Sequence, residues 1–194
     1  MKKIPDEVDN PFDNILIKLS DILCPLFKKT NHTPNMITTY SLIFGLLAVF
    51  CLYKGYIFMF AISYIISYFF DCMDGHFARK YKMTSSIGDL YDHIKDITIY
   101  IMILYVIYIK YKKCIRCIDI IFILLLFFIC SMHLGCQQKW NIYKSNDKEL
   151  LDKIKFLCIK KNDIYFLRFF GLGTFILISI LLIFLIDIRC KKLN

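Results

Sequence analysis

The chain has 194 residues, 58% of them hydrophobic, and a mean hydropathy of +0.54, too apolar for a soluble domain of this length. Its formal net charge of +9 lies in short loops between apolar segments rather than on one continuous face, which points away from nucleic acid and toward anionic membrane lipid. The fold class expected is all-α: a polytopic membrane helix bundle of five or six transmembrane helices, preceded by an N-terminal interfacial amphipathic helix.

The first residues, MKKIPDEVDNPFD, carry two lysines but no apolar core behind them, so no cleavable secretory signal is expected. Residues 14–29 follow as NILIKLSDILCPLFKK, with Ile15, Leu16, Leu19, Ile22, Leu23 and Leu26 near one helical face and Lys18 and Asp21 off it. A helix lying flat among the headgroups gives this pattern, and so does one packed on the bundle. Residues 1–30 are therefore assigned to a cytosolic or interfacial segment and 31–190 to the membrane domain.

Apolar runs long enough to span occur at about 36–53, 56–73, 90–109, 118–135 and 167–187. The third run carries polar residues only in its first turns, so its entrance is wet or lined by protein. The longest polar stretch, 140–163, reads as a surface helix. Lys28 and Lys29, then Arg79, Lys80 and Lys82, then seven lysines between 136 and 166 place three loop regions on the cytosolic side. Lys110, Lys112, Lys113, Arg116, Arg189, Lys191 and Lys192 fall on the other side and oppose that assignment; a sixth span would return the C-terminus to the cytosol. The nine cysteines show no repeated spacing of a disulfide framework or zinc ribbon and read chiefly as small apolar packers. Cys114 and Cys117 form a CxxC without a second pair or a nearby histidine.

The segment DCMDGHFARKYKMTSSIGDLYDHIKD, residues 71–96, concentrates acid where two spans meet. An ionised carboxylate is costly in hydrocarbon, so Asp71, Asp74, Asp92 and Asp96 need compensation. Asp71 and Asp74 are three apart and Asp92 and Asp96 four apart, so each pair shares a helix face. A short connection makes the two spans antiparallel and brings all four carboxylates to one membrane depth. Either they pair with Arg79, Lys80, Lys82 and Lys95 as ordinary helix-end residues, or divalent cations sit among them. Oxygen donors without His or Cys favour magnesium or manganese (Mg2+ or Mn2+), and two ions about 4 Å apart suit such a cage. Gly75 and Ala78 allow close approach of a ligand, Arg79 offers a planar fork for phosphate, and Gly88 thins the start of the third span.

The pattern D-x2-D-G-x2-A-R-x8-G-x3-D-x3-D resembles the signature of the CDP-alcohol phosphatidyltransferases at every fixed position: Asp71, Asp74, Gly75, Ala78, Arg79, Gly88, Asp92 and Asp96. TPNMIT, Thr33 to Thr38, is similar to the segment opening the first span of that family; the resemblance covers about 30–100. It implies a membrane enzyme that transfers a substituted phosphate from a CDP-linked donor to an alcohol acceptor and releases CMP. Asp71, Asp74 and Asp92 would then be metal ligands, Asp96 the catalytic general base beside two ions, and Gly75, Ala78, Arg79 and Gly88 the cytidine nucleotide site. It also implies membrane lipid partners, a homodimer, and commonly six spans. Thr84 to Ser86 with Asp92-His93 resemble the choline and ethanolamine phosphotransferases, which use a CDP-amino-alcohol and diacylglycerol. The compact length and Asp74-Gly75-His76 are more similar to phosphatidylinositol synthase and its relatives, so CDP-diacylglycerol is the favoured donor, with the acceptor open.

Rivals from other classes use similar carboxylates. A prenyltransferase sets its two acidic motifs on helices far apart in sequence, and a cation transporter wants its carboxylates near mid-membrane. A relative retained only for binding would lose carboxylates first, and all four are present. His76 and His93 occupy variable positions of the signature and read as positioning or structural residues, and Asp89 as exposed. His133 is expected to be a hydrogen-bonded helix-end residue or an acceptor contact, Arg168 a headgroup or acceptor-phosphate contact, and Trp140 an interface anchor.

Overall fold

The computed structural model describes residues 4–140 and 150–193. Six long helices dominate it: α1 (Pro11–Lys29), α2 (Pro34–Lys54), α3 (Ile57–Lys80), α4 (Ser86–Tyr111), α5 (Cys117–Trp140) and α6 (Leu172–Leu193). Among the described residues there is no strand, and a helical membrane bundle is what the apolar runs become.

The helix ends follow local chemistry. Asn10 accepts from the Phe12 and Asp13 amides to start α1, Thr33 accepts from Met36 with Pro34 behind it to start α2, and Ser85 accepts from Gly88 to start α4. Gly55 ends α2 in the left-handed conformation, φ 85°, and its amide and that of Tyr56 return to the Leu52 and Cys51 carbonyls. The chain thus reverses into α3 within two residues. Ser41 and Ser67 donate to each other's backbone carbonyls at 2.9 and 2.8 Å, and these small side chains let α2 and α3 lie close together.

Four helical stretches, Pro34–Lys54, Ile57–Lys80, Cys117–Trp140 and Ile164–Leu193, are long and apolar enough to cross a membrane. At 26 residues α4 is as long, and Asp92, Lys95 and Asp96 within its first half set it apart from them. Among the described residues that is four such helices, against the five or six spans expected. The helices run beyond their apolar windows, so Asp71 and Asp74 sit inside the last three turns of α3 rather than at its end.

Both readings of the N-terminal helix hold in part. Leu16, Ser20 and Cys24 are buried on the side of α1 toward the bundle, while Ile15, Leu19, Ile22 and Leu26 form an exposed apolar stripe. Asp21 ties this helix to α3 through His76 Nε2 at 2.9 Å and Lys80 Nζ at 2.6 Å. Of the surface helix expected over 140–163, the described part holds the 3₁₀ helix Leu150–Leu157, packed against α5, and residues 141–149 lie outside the described residues.

The cysteine expectation needs correction. Disulfides join Cys114 to Cys190 and Cys136 to Cys158, at opposite ends of the bundle. Their partners are 76 and 22 residues apart, separations at which sequence spacing carries no signal. Cys24, Cys51 and Cys130 are free and buried, as packers should be, and Cys117 of the CxxC is free and exposed.

Candidate active site at the acidic end of the bundle

The antiparallel α3 and α4 bring the expected carboxylates together, with one cation among them. One oxygen each from Asp71, Asp92 and Asp96 falls in a cluster whose members lie within 4.8 Å of one another. Lys95 Nζ stands 3.0 Å from Asp92 Oδ1 and 2.8 Å from Asp96 Oδ1, and it also pairs with Asp71 Oδ1. It donates further to Ser41 Oγ of α2 at 3.1 Å. Side-chain exposure rises from 2% at Lys95 through 16% and 26% at Asp71 and Asp92 to 50% at Asp96. The ammonium is the floor of the cluster and Asp96 its mouth.

Asp74, the fourth carboxylate, is buried behind the trio and accepts a 2.5 Å hydrogen bond from Thr38 Oγ1. Thr38 closes TPNMIT, so that segment reaches the signature directly. Asn35 of the same segment abuts α4: a Cβ on Gly88 would lie 3.0 Å from Asn35 Oδ1. Arg79 folds back over its own helix, with Nη1 3.1 Å from where a Cβ of Gly75 would stand. Ala78 is half-buried beside it, and its carbonyl accepts from the Met83 amide as α3 ends. Gly75, Ala78 and Arg79 thus lie one to two turns from Asp71 toward the end of α3, and Gly88 one turn before Asp92.

A cavity of about 290 Å³ adjoins the trio. Asp71, Lys95 and Asp96 form its polar part, and Tyr64, Phe127 and Phe175 are among its aromatic and apolar walls. Such a chamber accepts an amphipathic molecule, head to the carboxylates and tail along the walls.

The remaining candidates lie elsewhere. His76 is given over to Asp21, and Lys80 likewise, while Lys95 sits among the aspartates. These two hydrogen bonds, from Lys80 first and then His76, hold the Asp21 carboxyl down to about 2. His93 lies 4.0 Å from the half-exposed Asp89. His133 is fully buried and hydrogen-bonded to the Val8 carbonyl at 3.4 Å, while Arg168 donates to the Glu7 carbonyl; both brace the N-terminal segment. Trp140 packs edge-on against Tyr165. Asp13 of α1 was without any sequence signal: it is buried, accepts from Tyr68 Oη at 2.7 Å, and burial pushes its carboxyl up to about 7. Thr38, Ser41 and Asn35 escaped notice as site residues too, although Asn35 belongs to the TPN that opens α2 and the other two lie within two turns of it.

A sequence model of the CDP-alcohol phosphatidyltransferase family matches residues 31–188, well past the signature into α6. The chain belongs to this family. No curated protein and no solved structure matches it. Membership makes this chain a transferase of substituted phosphate groups in phospholipid synthesis, and with its spanning helices an integral membrane protein. The prenyltransferase and transporter readings fall away with it.

Proposed function

We propose that the transferase moves the phosphatidyl group of CDP-diacylglycerol to the hydroxyl of a soluble alcohol, releasing CMP, with the membrane domain at 31–190 carrying the reaction. The observation that carries this reading is the carboxylate trio of Asp71, Asp92 and Asp96, two of which, Asp71 and Asp96, line a cavity with apolar walls. The donor set fits a hard divalent cation: all oxygen, no sulfur or imidazole, which favours magnesium or manganese over zinc. Asp71, Asp74, Asp92 and Asp96 are the residues to hold it. When bound, such a cation neutralises the donor diphosphate and stabilises departing CMP.

The rest falls to the chain's own groups. Asp96, half-exposed at the mouth, accepts the proton of the acceptor hydroxyl as that oxygen attacks phosphorus. Gly75 and Gly88 leave backbone open to the nucleotide, Ala78 keeps the wall low, and Arg79 supplies the cation fork for phosphate. Thr38 fixes Asp74 so that its second oxygen is aimed, and the aromatic walls shield the acyl chains from water. The acidic end faces the cytosol, in keeping with Lys28, Lys29, Lys80 and Lys82 around it.

Purified protein in liposomes, given magnesium or manganese and a panel of CDP donors and alcohol acceptors, should release CMP with CDP-diacylglycerol. Release with CDP-choline or CDP-ethanolamine and diacylglycerol would instead support the relationship that Thr84 to Ser86 and Asp92-His93 suggest. Absence of CMP from every pair would overturn both.

A further inference from the structure

Lys95 falls between Asp92 and Asp96 in sequence, at a variable position of the signature, yet its ammonium is the most buried charge of the site. Three helices hold it: its own α4, α3 through Asp71, and α2 through Ser41. An ammonium has three N–H bonds, and here four oxygens surround it. We propose that Lys95 Nζ permanently takes one cation position of the carboxylate cage, so that this transferase binds a single divalent ion rather than a pair.

The proposal rests on the phosphotransferase reading of the cage and changes its cation count. Two ions held by so few carboxylates must share oxygens, and here Asp71 accepts from Lys95 while Asp92 and Asp96 each turn one oxygen to its charge, that of Asp92 having no other hydrogen-bond partner. Their remaining oxygens, on the more exposed side, suffice for one magnesium-sized ion that keeps waters or phosphate oxygens in its other positions. Nor does Lys95 lie over the mouth as a group to be pushed aside. Its side chain is 2% exposed and is anchored on the inner side by Ser41, whose hydroxyl belongs to the α2–α3 contact. The entrance lies instead on the side of Asp92 and Asp96. Lys95 is thereby a positioning residue: it holds three carboxylates together before any metal arrives and keeps them on one ion afterwards.

Full-length protein in detergent, stripped with chelator and titrated with Mn2+ under electron paramagnetic resonance, tests this. Wild type should bind one Mn2+ per chain with no spin-coupled pair. Lys95→Met should bind a second Mn2+ and hold the first at least about tenfold tighter, because a neighbouring positive charge is gone. In chelator Lys95→Met should melt well below wild type, and Mn2+ should restore it. Two coupled Mn2+ ions in wild type, or none, would overturn the proposal, as would a Lys95→Met count equal to that of wild type. Where Lys95→Met folds only with metal present, the wild-type count alone decides. CMP release alongside two bound ions sinks the Lys95 proposal and leaves the transferase reading standing; one ion without CMP release from any substrate pair does the reverse.

Discussion

The two ends of the bundle are both polar, and they solve the problem of buried charge in opposite ways. At the far end Asp119 pairs with Arg189 at 2.5 Å, and Asp187 with Lys191 at 2.7 Å and the Tyr111 hydroxyl at 3.0 Å. Lys110 caps the carbonyls of Leu52 and Tyr53 where α2 ends, and the Cys114–Cys190 disulfide closes the group. Asp119 and Asp187 there each have their own cation. At the acidic end Asp71, Asp92 and Asp96 crowd around the one ammonium of Lys95 with Asp74 buried near them, and carboxylates so gathered are what a divalent ion can use. The far end is a clamp of matched pairs, and the acidic end gathers its carboxylates around one lysine. The same clamp accounts for Lys110, Arg189 and Lys191, three of the cations that opposed the loop-charge orientation: local partners hold them.

Substitutions at the two ends should therefore part company. The largest effect is expected from Asp96→Asn, which keeps shape and removes the base; CMP release should fall by about 10²–10⁴-fold while nucleotide binding persists. A comparable loss on replacing Asp187 would erase the distinction between the ends. Next comes Cys190→Ser, which opens a disulfide spanning 76 residues and should cost about 2–4 kcal/mol of stability under oxidising conditions. Its Tm should drop while turnover below the transition is unchanged.

A matched pair sharpens the contrast. Thr38→Val and Tyr111→Phe each remove one hydroxyl donor from a buried carboxylate, Asp74 or Asp187, at about 1–3 kcal/mol. Only Thr38→Val should also slow CMP release, as kinetics and melting measured side by side would show. The smallest effect concerns Asp21, which lies at neither charge cluster. Its carboxyl is held at about 2 against an ordinary 3.8, so its support of α1 on α3 is complete above about pH 4 and lost as pH falls toward 2. Melting of wild type and Asp21→Asn from pH 5 to 2 should converge at the acid end; curves that stay parallel would remove Asp21 from the account.

The chain order of apolar runs, the opening of a span by TPNMIT, and the pairing of Asp71 with Asp74 and of Asp92 with Asp96 were legible in the sequence. These depend on local rules: run length, short motifs and the helical period. Which way each apolar helix is turned about its axis is a different matter. Helices apolar on every side, such as α2 and α5, carry no stripe that names the inward face. Thus Thr38 meeting Asp74, 36 residues away, and Ser41 meeting Lys95, 54 away, became visible only when α2 was packed against its neighbours. The same holds for both disulfides and for the docking of Asp21 on His76 and Lys80. By itself the sequence determined that acid would gather where two spans meet. Tertiary structure decided that a lysine would be enclosed within it, because rotation and register between helices are set by packing among residues far apart in the chain.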